Sequence, residues 1–363
     1  MKVAIIGTRG YPSYYGGFET AVRHIAPSLA DRGWDVTVYG RDRPGATPPD
    51  GDPRIHAVRT GGWERRSLST LSFGYTSTLA ARRLRPDVAL VMNVANGYFL
   101  PLLRGANIPT VVNVDGIEWE RAKWGRLART VFRTGARLTA RWGDRLVFDS
   151  ERIEERWQSE FGRDGAFIPY GGEPVPEMPV PDGLVPRGYV LVVARFVPEN
   201  SIPEFFAAVP EIASRHPVVI VGSEGYGGEL EHRAADLTHT HENVTWLGHL
   251  RDDALLHSLW QHAGLYFHGH SVGGTNPSLV QAMAAGAPIL ARDTIFNREV
   301  LGPGGAFTDS DTIAANVLRL MNQPDARESL SWSARQRASE VYSWEAVCDA
   351  YAAELAMAVS ARA

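Results

Sequence analysis

A glycine-rich segment between a predicted strand and a predicted helix carries the strongest chemical signal in the sequence. Gly273 and Gly274 precede Thr275 and Asn276, and Asn276 followed by Pro277 is a typical helix start. Glycines let main-chain N–H groups approach a ligand closely, and the first turn of a helix favours negative charge. The segment therefore predicts a phosphate site. A plain strand-to-helix turn is the alternative.

Arg195 stands two residues after a predicted apolar strand at residues 189–193. Doubly wound sheets bind ligands at the carboxyl ends of their strands, and a guanidinium can form paired hydrogen bonds with phosphate oxygens. A surface ion pair is the alternative reading of this residue. The position favours a role for Arg195 in binding and neutralising a phosphate group, including one that leaves during a reaction.

Two carboxylates follow another predicted strand, at residues 110–114. Asp115 precedes Gly116, and Glu118 is close behind. Acidic side chains at this end of a strand can orient a hydroxyl group or assist with its proton, so both are candidate catalytic residues. An Asp-Gly turn explains Asp115 equally well.

A glycine pair, Gly16 and Gly17, lies in the loop after the first predicted strand at residues 3–6. Such a pair suits either a close approach to a ligand or a flexible turn. Glu19, three residues after Gly16, is expected to stabilise the start of the next helix through its dipole.

Basic residues dominate residues 121–145, which hold eight of them and one acid. Five arginines recur at three- and four-residue spacing and so share one helical face: Arg126, Arg129, Arg133, Arg137 and Arg141. With Lys123 and nearby aromatic residues, this face predicts a patch for an anionic acceptor or a membrane surface. A solvated arginine face is the alternative.

Two patterns that resemble metal sites are weak. Residues 309–311 (Asp-Ser-Asp) directly precede a helical stretch, so we interpret them as capping residues. Eight of the 11 histidines fall between His232 and His270. His239 with His241 and His268 with His270 alternate as if on a strand, but further zinc ligands at a recognisable spacing are missing. We therefore predict no metal ion.

Composition narrows the class of protein. The 363 residues have a net charge of −4 and include one cysteine. These values argue against a nucleic-acid binder and against a disulfide framework. Of the 37 basic residues only Lys2 and Lys123 are lysines, and neither lies in a P-loop motif. Because no apolar run reaches 18 residues, we expect a cytoplasmic protein, at the inner face of a membrane if the basic patch binds lipid.

Short apolar runs alternate with helical patterns along the chain, which predicts an α/β protein with doubly wound sheets. Six prolines between residues 169 and 186 interrupt this alternation. The predicted organisation is a first domain at 1–170, a linker at 171–187, a second domain at 188–342 and a final helix at 343–363 whose packing side is open. Two facing domains would form a cleft suited to a nucleotide-bearing substrate and an acceptor.

The same segments carry a family resemblance over nearly the whole chain. Residues 268–286 resemble the glutamate-containing donor motif of family 4 retaining glycosyltransferases of the GT-B fold, in the form typical of a rhamnosyltransferase-type branch. Further matching segments are residues 7–10, 15–20, 114–119, 123–124, 194–200, 296–300 and 342–344.

The resemblance implies specific residue roles. Gly16, Gly17, Arg195 and the loop Gly273, Gly274, Thr275 and Asn276 would contact a nucleotide-diphosphate donor, with Asp115 near the transferred sugar. Two positions depart from the family pattern. Gly273 and Gln281 occupy the places of the two glutamates, and Gln281 would meet the donor ribose without a charge. The family's lysine partner of Arg195 is missing, and its place is held near Asn200, which is therefore a candidate donor-binding residue.

The resemblance thus implies a retaining glycosyltransferase of polysaccharide or glycoconjugate biosynthesis. It would move a sugar, with a deoxyhexose such as rhamnose as the branch-level expectation, from a nucleotide-diphosphate donor to a saccharide, lipid-linked or small-molecule acceptor. The donor is a co-substrate, and no other cofactor is expected. A GT-B-fold sugar-nucleotide epimerase and a non-catalytic sugar-nucleotide-binding partner are the alternatives. A nicotinamide dehydrogenase is disfavoured because residues 7–10 lack the dinucleotide motif.

Overall fold

The computed structural model describes residues 1–13, 16–41, 51–63, 69–121, 124–225, 227–250 and 252–362. It separates into two compact units. The first consists of Met1–Tyr170 together with Trp344–Ala363, and the second is Gly171–Ser343.

The first unit is a parallel sheet of seven strands in the order β3-β2-β1-β4-β5-β6-β7. Its strands are β1 Lys2–Ile6, β2 Asp35–Arg41, β3 His56–Thr60, β4 Val88–Met92, β5 Thr110–Asn113, β6 Arg145–Phe148 and β7 Ala166–Phe167. Five helices of this unit precede the point where the chain enters the second unit: α1 Gly17–Asp31, α2 Ser69–Leu84, α3 Leu100–Arg104, α4 Arg126–Trp142 and α5 Glu151–Phe161.

The second unit is a parallel sheet of six strands in the order β10-β9-β8-β11-β12-β13. Its strands are β8 Val190–Val193, β9 Val218–Val221, β10 Val244–Trp246, β11 Leu265–His268, β12 Ile289–Arg292 and β13 Ala306–Thr308. Its helices are α6 Ile202–Ala213, α7 Glu229–Thr240, α8 Asp253–His262, α9 Pro277–Ala284, α10 Ile295–Leu301, α11 Ile313–Met321 and α12 Pro324–Val341.

The last helix, α13 Trp344–Ser360, returns to the first unit. Tyr351 and Leu355 of this helix are buried in the same apolar core as β1 and α1. The Tyr351 hydroxyl lies 2.6 Å from the side-chain amide of Asn113, and Glu354 pairs with Arg145. The packing side of α13, which the sequence left open, is therefore the core of the first unit.

Residues 171–187, assigned to a linker from the sequence, are grouped with the second unit and hydrogen-bonded along α8. The Gln261 side chain accepts from the Met178 N–H at 2.7 Å and donates to the Pro176 carbonyl at 2.9 Å. The Ser258 hydroxyl donates to the Pro179 carbonyl at 2.6 Å. The prolines that suppress helix formation here leave an extended segment whose main chain is held by side chains of α8.

The prediction of two doubly wound parallel sheets is confirmed. Three edge strands were missed: β3, β7 and β13. The last two have two and three residues, too few to show a period. In β3 most residues are exposed, so its sequence lacks the apolar run of the central strands. His239 and His241 were considered as strand residues, but His239 lies in α7 and His241 directly follows it.

Candidate functional site

The strand order of the second sheet reverses between β8 and β11, which lie side by side although α6, α7 and α8 separate them in the chain. In an open parallel sheet, the crevice at the carboxyl ends of two such strands is the usual ligand site. The loop after β8 contains Arg195 and Asn200. The loop after β11 contains Gly273, Gly274, Thr275 and Asn276, so the switch point brings these predicted donor-binding segments together.

Hydrogen bonds join these two loops directly. The main-chain carbonyl of Glu199 accepts from both the N–H and the hydroxyl of Ser271, each at 2.8 Å. Asn200 is buried, its amide N–H donates to the Arg195 carbonyl at 2.8 Å, and its amide oxygen accepts from Nδ1 of His270. Asn200, predicted to bind the donor, thus uses its amide to hold the loops in place.

Arg195 is exposed at this edge, and its main chain is fixed by Asn200 and by the Val197 N–H at 2.9 Å. Among the described residues, no carboxylate forms an ion pair with its guanidinium. A positive charge held on an ordered loop and open to solvent can accept a phosphate group as its partner. The geometry is therefore compatible with phosphate binding by Arg195, and that role stays a prediction.

The helix α9 begins as the sequence indicates. The Asn276 side chain caps the helix by accepting from the Ser278 N–H at 3.0 Å, and Pro277 is its first residue. Gly273 has a φ of 102°, a conformation that side-chain-bearing residues rarely adopt, so glycine is required there. Thr275 is buried beneath the loop. The first turn of α9 thus faces the same edge as Arg195, with the polarity that favours anions.

Gln281, on the second turn of α9, is engaged with the main chain of Glu173. Its amide oxygen accepts from the Glu173 N–H at 2.9 Å, and its amide N–H donates to the Glu173 carbonyl at 3.0 Å. Gly172 packs so closely on α9 that an added Cβ would lie 3.0 Å from the Val280 carbonyl oxygen. The side chain predicted to meet the donor ribose is therefore committed to the residue pair at 172–173.

Sequence reasoning missed the pair of His268 and Tyr266, which lies under the loop at the end of β11. Nδ1 of His268 is 3.0 Å from the Tyr266 hydroxyl, and Nε2 is buried without a hydrogen-bond partner in the described part of the chain. Burial lowers the pKa of His268 well below its usual value, so the ring is neutral. The available signal was the pair of histidines at 268 and 270, which the sequence analysis considered as possible zinc ligands and as part of the donor motif at residues 268–286.

In the first unit, Asp115 lies at the sheet edge that the carboxyl ends of β4 and β5 form. Its carboxylate accepts from the Asn93 side chain at 3.3 Å, and its N–H donates to the Asn113 side chain at 2.9 Å. Asp115 and Asn93 have φ values of 62° and 76°, which are uncommon for residues other than glycine and are found at functional sites. Both the turn and the functional reading of Asp115 are compatible with this geometry.

The carboxylate of Asp115 lies near further polar groups of the first unit. Tyr170 is buried, and its pKa is raised well above the usual value because burial disfavours the phenolate; the carboxylates of Asp115, Asp149 and Glu19 raise it further. Glu19 is itself buried and accepts from the Arg9 N–H at 3.0 Å, so it ties the loop after β1 to α1. The sequence predicted that Glu19 stabilises the start of α1 through the helix dipole. In the structure Glu19 also orders the loop after β1.

Glu118 is a buried carboxylate with two partners inside its own loop. It accepts from Nε1 of Trp124 at 2.8 Å and pairs with Arg121 at 2.7 Å. These contacts tie Glu118 to Arg121 and Trp124, and its catalytic role stays a prediction. Lys123, in the same loop, lies outside the described residues.

Gly16 and Gly17 form the start of α1, with Gly16 as the capping residue in an extended conformation. An added Cβ on Gly16 would lie 3.4 Å from the Glu19 carboxylate. The pair therefore stands at the N-terminal end of a 15-residue helix, at the carboxyl edge of the first sheet.

The arginines of α4 lie largely on one exposed face. Gly135, Ala136 and Thr139 are its buried residues, and Arg126 and Arg133 lie on the opposite side with Arg137 and Arg141. Arg133 is paired with Glu160 at 2.7 Å, and Arg129 is half-buried. Leu127, beside Arg126, is 80% exposed. The predicted patch is therefore carried mainly by the arginines other than Arg129 and Arg133.

Across the ranges that the structure describes, no three His, Cys, Asp or Glu side chains are grouped to hold a metal ion. The residues at 309–311 do not cap α11 with their side chains; Thr312 precedes the helix and makes no side-chain cap either. The prediction of a capping role for them was therefore wrong.

Two family models match the chain. One, described as a glycosyl transferase 4-like domain, matches residues 16–171, and the other, glycosyl transferases group 1, matches residues 184–337. Together they cover most of both units. The chain therefore belongs to the glycosyltransferases that join these two domains.

Similar proteins of known activity include a phosphatidyl-myo-inositol mannosyltransferase of Mycolicibacterium smegmatis, 32% identical over 215 residues. This match covers 54% of the chain and 53% of the relative, so about half the length of that relative is spanned. A glycogen synthase of Mycobacterium tuberculosis is 25% identical over 406 residues, covering 97% of the chain and 94% of the relative.

Solved structures resemble the chain over its whole length. A sucrose-phosphate synthase from Thermosynechococcus elongatus has a TM-score of 0.82 at 19% identity and covers 99% of each chain. The Anabaena protein HepE in complex with UDP-glucose has a TM-score of 0.77 at 16% identity, covering 98% of this chain and 100% of that one. These likenesses establish the GT-B fold.

Among the described residues, none of the helices combines the length and the apolar character needed to cross a membrane.

Proposed function

We propose that the protein is a retaining glycosyltransferase that transfers a hexose or deoxyhexose from a nucleotide-diphosphate donor. The observation that carries this proposal is the joining of the two loops at the switch point between β8 and β11. Asn200 and Ser271 hold the Arg195 loop against the loop that leads into α9. A guanidinium and a helix N-terminus at one strand edge form a site for a diphosphate.

The leaving diphosphate is neutralised without lysine in this proposal. Asn200 stands where the family carries a lysine, so the positive charge comes from Arg195 and from the main-chain N–H groups at Gly274, Thr275 and Asn276. Donors of this kind, fixed before the reaction, stabilise the charge that develops on the departing phosphate. A metal ion is not part of the proposed mechanism.

The acceptor hydroxyl attacks the anomeric carbon as the bond to the diphosphate breaks, and its proton passes to a phosphate oxygen of the leaving group. The transferred sugar keeps its anomeric configuration. Asp115 orients the acceptor or assists with its proton, since its carboxylate is held by Asn93 at a strand end. Glu118 acts indirectly by ordering the loop that contains Trp124.

The sugar is the least constrained part of the proposal. The motif of residues 268–286 favours a deoxyhexose such as rhamnose. The names of two relatives from Mycolicibacterium smegmatis favour mannose, and one of these, 26% identical over 377 residues, is named as GDP-mannose-dependent. HepE structures contain UDP and glucose. The proposal therefore states the sugar as a hexose or deoxyhexose.

The acceptor is proposed to be a saccharide, a lipid-linked sugar or a small molecule, with the exposed arginines of α4 attracting an anionic group. Arg126, Arg137 and Arg141 supply positive charge, and the exposed Leu127 supplies apolar contact. This combination is suited to the surface of an anionic membrane. Peripheral contact with such a surface is part of the proposal.

The experiment is a donor panel of dTDP-rhamnose, GDP-mannose, UDP-glucose and UDP-N-acetylglucosamine, scored by release of the nucleoside diphosphate with and without acceptors. We expect one donor to be consumed, with release stimulated by an acceptor, and an NMR spectrum showing the donor's anomeric configuration in the product. Inversion would refute retention. A changed sugar without nucleotide release would instead indicate an epimerase, and binding without turnover a non-catalytic partner.

A further inference from the structure

Asn297 is a buried amide at the carboxyl edge of the second sheet, on the side of β12. Its side chain is 3% exposed, and its two N–H groups donate to the main-chain carbonyls of His270 and Arg292, each at 2.8 Å. The ladder between β11 and β12 ends at the pair of His268 and Ala291. Asn297 therefore links the two chain segments just beyond this pair, where it supplies donors to carbonyls that the ladder no longer pairs.

The position of Asn297 is itself fixed by its neighbours in the chain. Its N–H donates to the Thr294 hydroxyl at 3.0 Å, a contact that caps α10. The Asp293 carboxylate accepts two hydrogen bonds from the Arg298 guanidinium, each at 2.6 Å. These contacts hold the first turn of α10 against the end of β12, so the Asn297 amide is kept at the strand end.

The loop after β11 is consequently held from both neighbouring strands. On the β8 side, Asn200 bonds the His270 ring, and an added Cβ on Gly269 would lie 2.2 Å from the Asn200 carbonyl oxygen. On the β12 side, Asn297 bonds the His270 carbonyl. His270 is thus fixed through both its ring and its main chain, three residues before Gly273, where the loop turns towards α9.

We propose that Asn297 is a positioning residue of the proposed diphosphate site. By fixing the His270 carbonyl relative to β12, it holds the main-chain N–H groups at residues 274–276 in place for the donor's phosphates. An amide suits this role because one nitrogen offers two N–H donors, whereas a carboxylate offers none. Donors that are ordered before the ligand arrives bind it more tightly. The inference rests on the proposed function, because it concerns the same diphosphate site.

The test measures nucleotide binding to the full chain by isothermal titration calorimetry. The ligands are the pairs UDP and UMP, GDP and GMP, and dTDP and dTMP, and the pair that binds most tightly is used for the variants. These are Asn297→Ala, Asn297→Asp and Asn297→Ser, the last of which keeps one shorter donor. Asn243→Ala is the matched control, because the Asn243 side chain also donates to a main-chain carbonyl, that of Ala213 at 3.2 Å, but at the opposite edge of the sheet.

We expect the unmodified protein to bind the diphosphate at least about tenfold more tightly than the monophosphate, the size of a charge-assisted hydrogen bond. In Asn297→Ala this ratio should fall to about threefold or less, while the affinity for the monophosphate changes by less than about threefold. Asn297→Asp should lower the ratio at least as far, because it places carboxylate oxygen against two carbonyl oxygens. Asn297→Ser should give an intermediate ratio, which supplies a result even if Asn297→Ala does not fold. Asn243→Ala should leave the ratio unchanged.

A second readout follows the loop itself. Hydrogen exchange of residues 269–275, measured by mass spectrometry, should accelerate in Asn297→Ala and not in Asn243→Ala, without faster exchange in β11 or β12. Equal weakening of diphosphate and monophosphate binding, an unchanged ratio in the variants that fold, or unchanged exchange of the loop would overturn the inference while leaving the proposed function standing. Failure of the unmodified protein to bind any of the three nucleoside diphosphates would instead contradict the proposed donor class and, with it, this inference.

Discussion

Asn200 and His270 share a hydrogen bond that joins the loop after β8 to the loop after β11, with the histidine Nδ1–H as donor. The same asparagine amide donates to the Arg195 carbonyl at 2.8 Å. Because β8 and β11 are neighbours at the switch point of the sheet, this side chain and Ser271 together fix the geometry of the proposed diphosphate site. In the proposed site, this uncharged residue orders the two loops and Arg195 supplies the positive charge.

Asn200→Ala should therefore reduce activity through loss of order. We expect kcat/KM for the donor to fall by about 10- to 100-fold, since the two hydrogen bonds of this side chain, to Arg195 and His270, are lost and each is worth about 1 kcal/mol. Thermal unfolding monitors the accompanying loss of stability. Asn322→Ala, at an exposed asparagine of the same unit, is the control and should change neither value. Full activity in Asn200→Ala would show that the loops do not need this bridge.

Asp115→Asn separates the charge of this residue from its backbone conformation, because asparagine tolerates the left-handed φ of 62°. We expect transfer to an acceptor to fall by about 10- to 100-fold, with donor hydrolysis changed less than about threefold. Asp115→Ala should additionally destabilise the fold by about 1 kcal/mol from backbone strain. Unchanged transfer in Asp115→Asn would remove the carboxylate from the mechanism.

We expect His24 to make the stability of the first unit depend on pH. Its ring stacks on Trp344 with centroids 4.0 Å apart, and burial, assisted by Arg23, lowers its pKa to about 4. Since the unfolded chain binds this proton near pH 6.5, the stabilising contribution is complete above that pH and is lost as pH falls towards 4. At pH 5 the loss should be about 1 kcal/mol, allowing for partial solvent screening.

His24→Phe keeps the ring stack and removes the titration, so its urea-unfolding free energy should decrease less between pH 7 and pH 5. His249→Phe, at an exposed histidine, is the control. Its unfolding free energy should decrease between pH 7 and pH 5 as much as that of the unmodified protein. If the unfolding free energy changes equally with pH in the unmodified protein and in His24→Phe, other groups cause the acid sensitivity.

The arginine face of α4 predicts binding to anionic vesicles at low salt. The triple variant Arg126→Gln, Arg137→Gln, Arg141→Gln should lose most of this affinity, at about 1 kcal/mol per residue, in a flotation assay. Arg133→Gln should have a smaller effect, because Glu160 already pairs with Arg133. Absence of binding by the unmodified protein at low salt would exclude the membrane contact.

The sequence predicted the parts of this site that depend on local chemistry. Asn276 and Pro277 start α9 because a capping side chain and a fixed φ act within one turn. The strands β8 and β11 were predicted from their apolar runs, which buried parallel strands require. Their adjacency, and hence the meeting of the Arg195 loop with the loop before α9, was not predicted, because the order of strands in a sheet is not encoded in the pattern of any one strand.

Long-range side-chain contacts were beyond sequence reasoning. Gln281 was assigned to the donor because of its place in a motif, and nothing local indicates that Glu173, 108 residues away, takes both of its hydrogen bonds. Glu118 was assigned to catalysis from its place after a strand, and its partners Arg121 and Trp124 depend on the path of the loop. Such pairings are fixed by tertiary packing, which periodicity and capping rules do not describe.

The central claim is that the edge between β8 and β11 holds the donor diphosphate, and Arg195 tests it most directly. The measurement compares steady-state turnover of the consumed donor by Arg195→Ala, Arg195→Lys and, as a control, Arg215→Ala, an exposed arginine after α6. We expect kcat/KM to fall by about 10²- to 10³-fold in Arg195→Ala. Arg195→Lys should restore part of it, and Arg215→Ala should match the unmodified protein. Turnover by Arg195→Ala within about threefold of the unmodified protein would contradict the account.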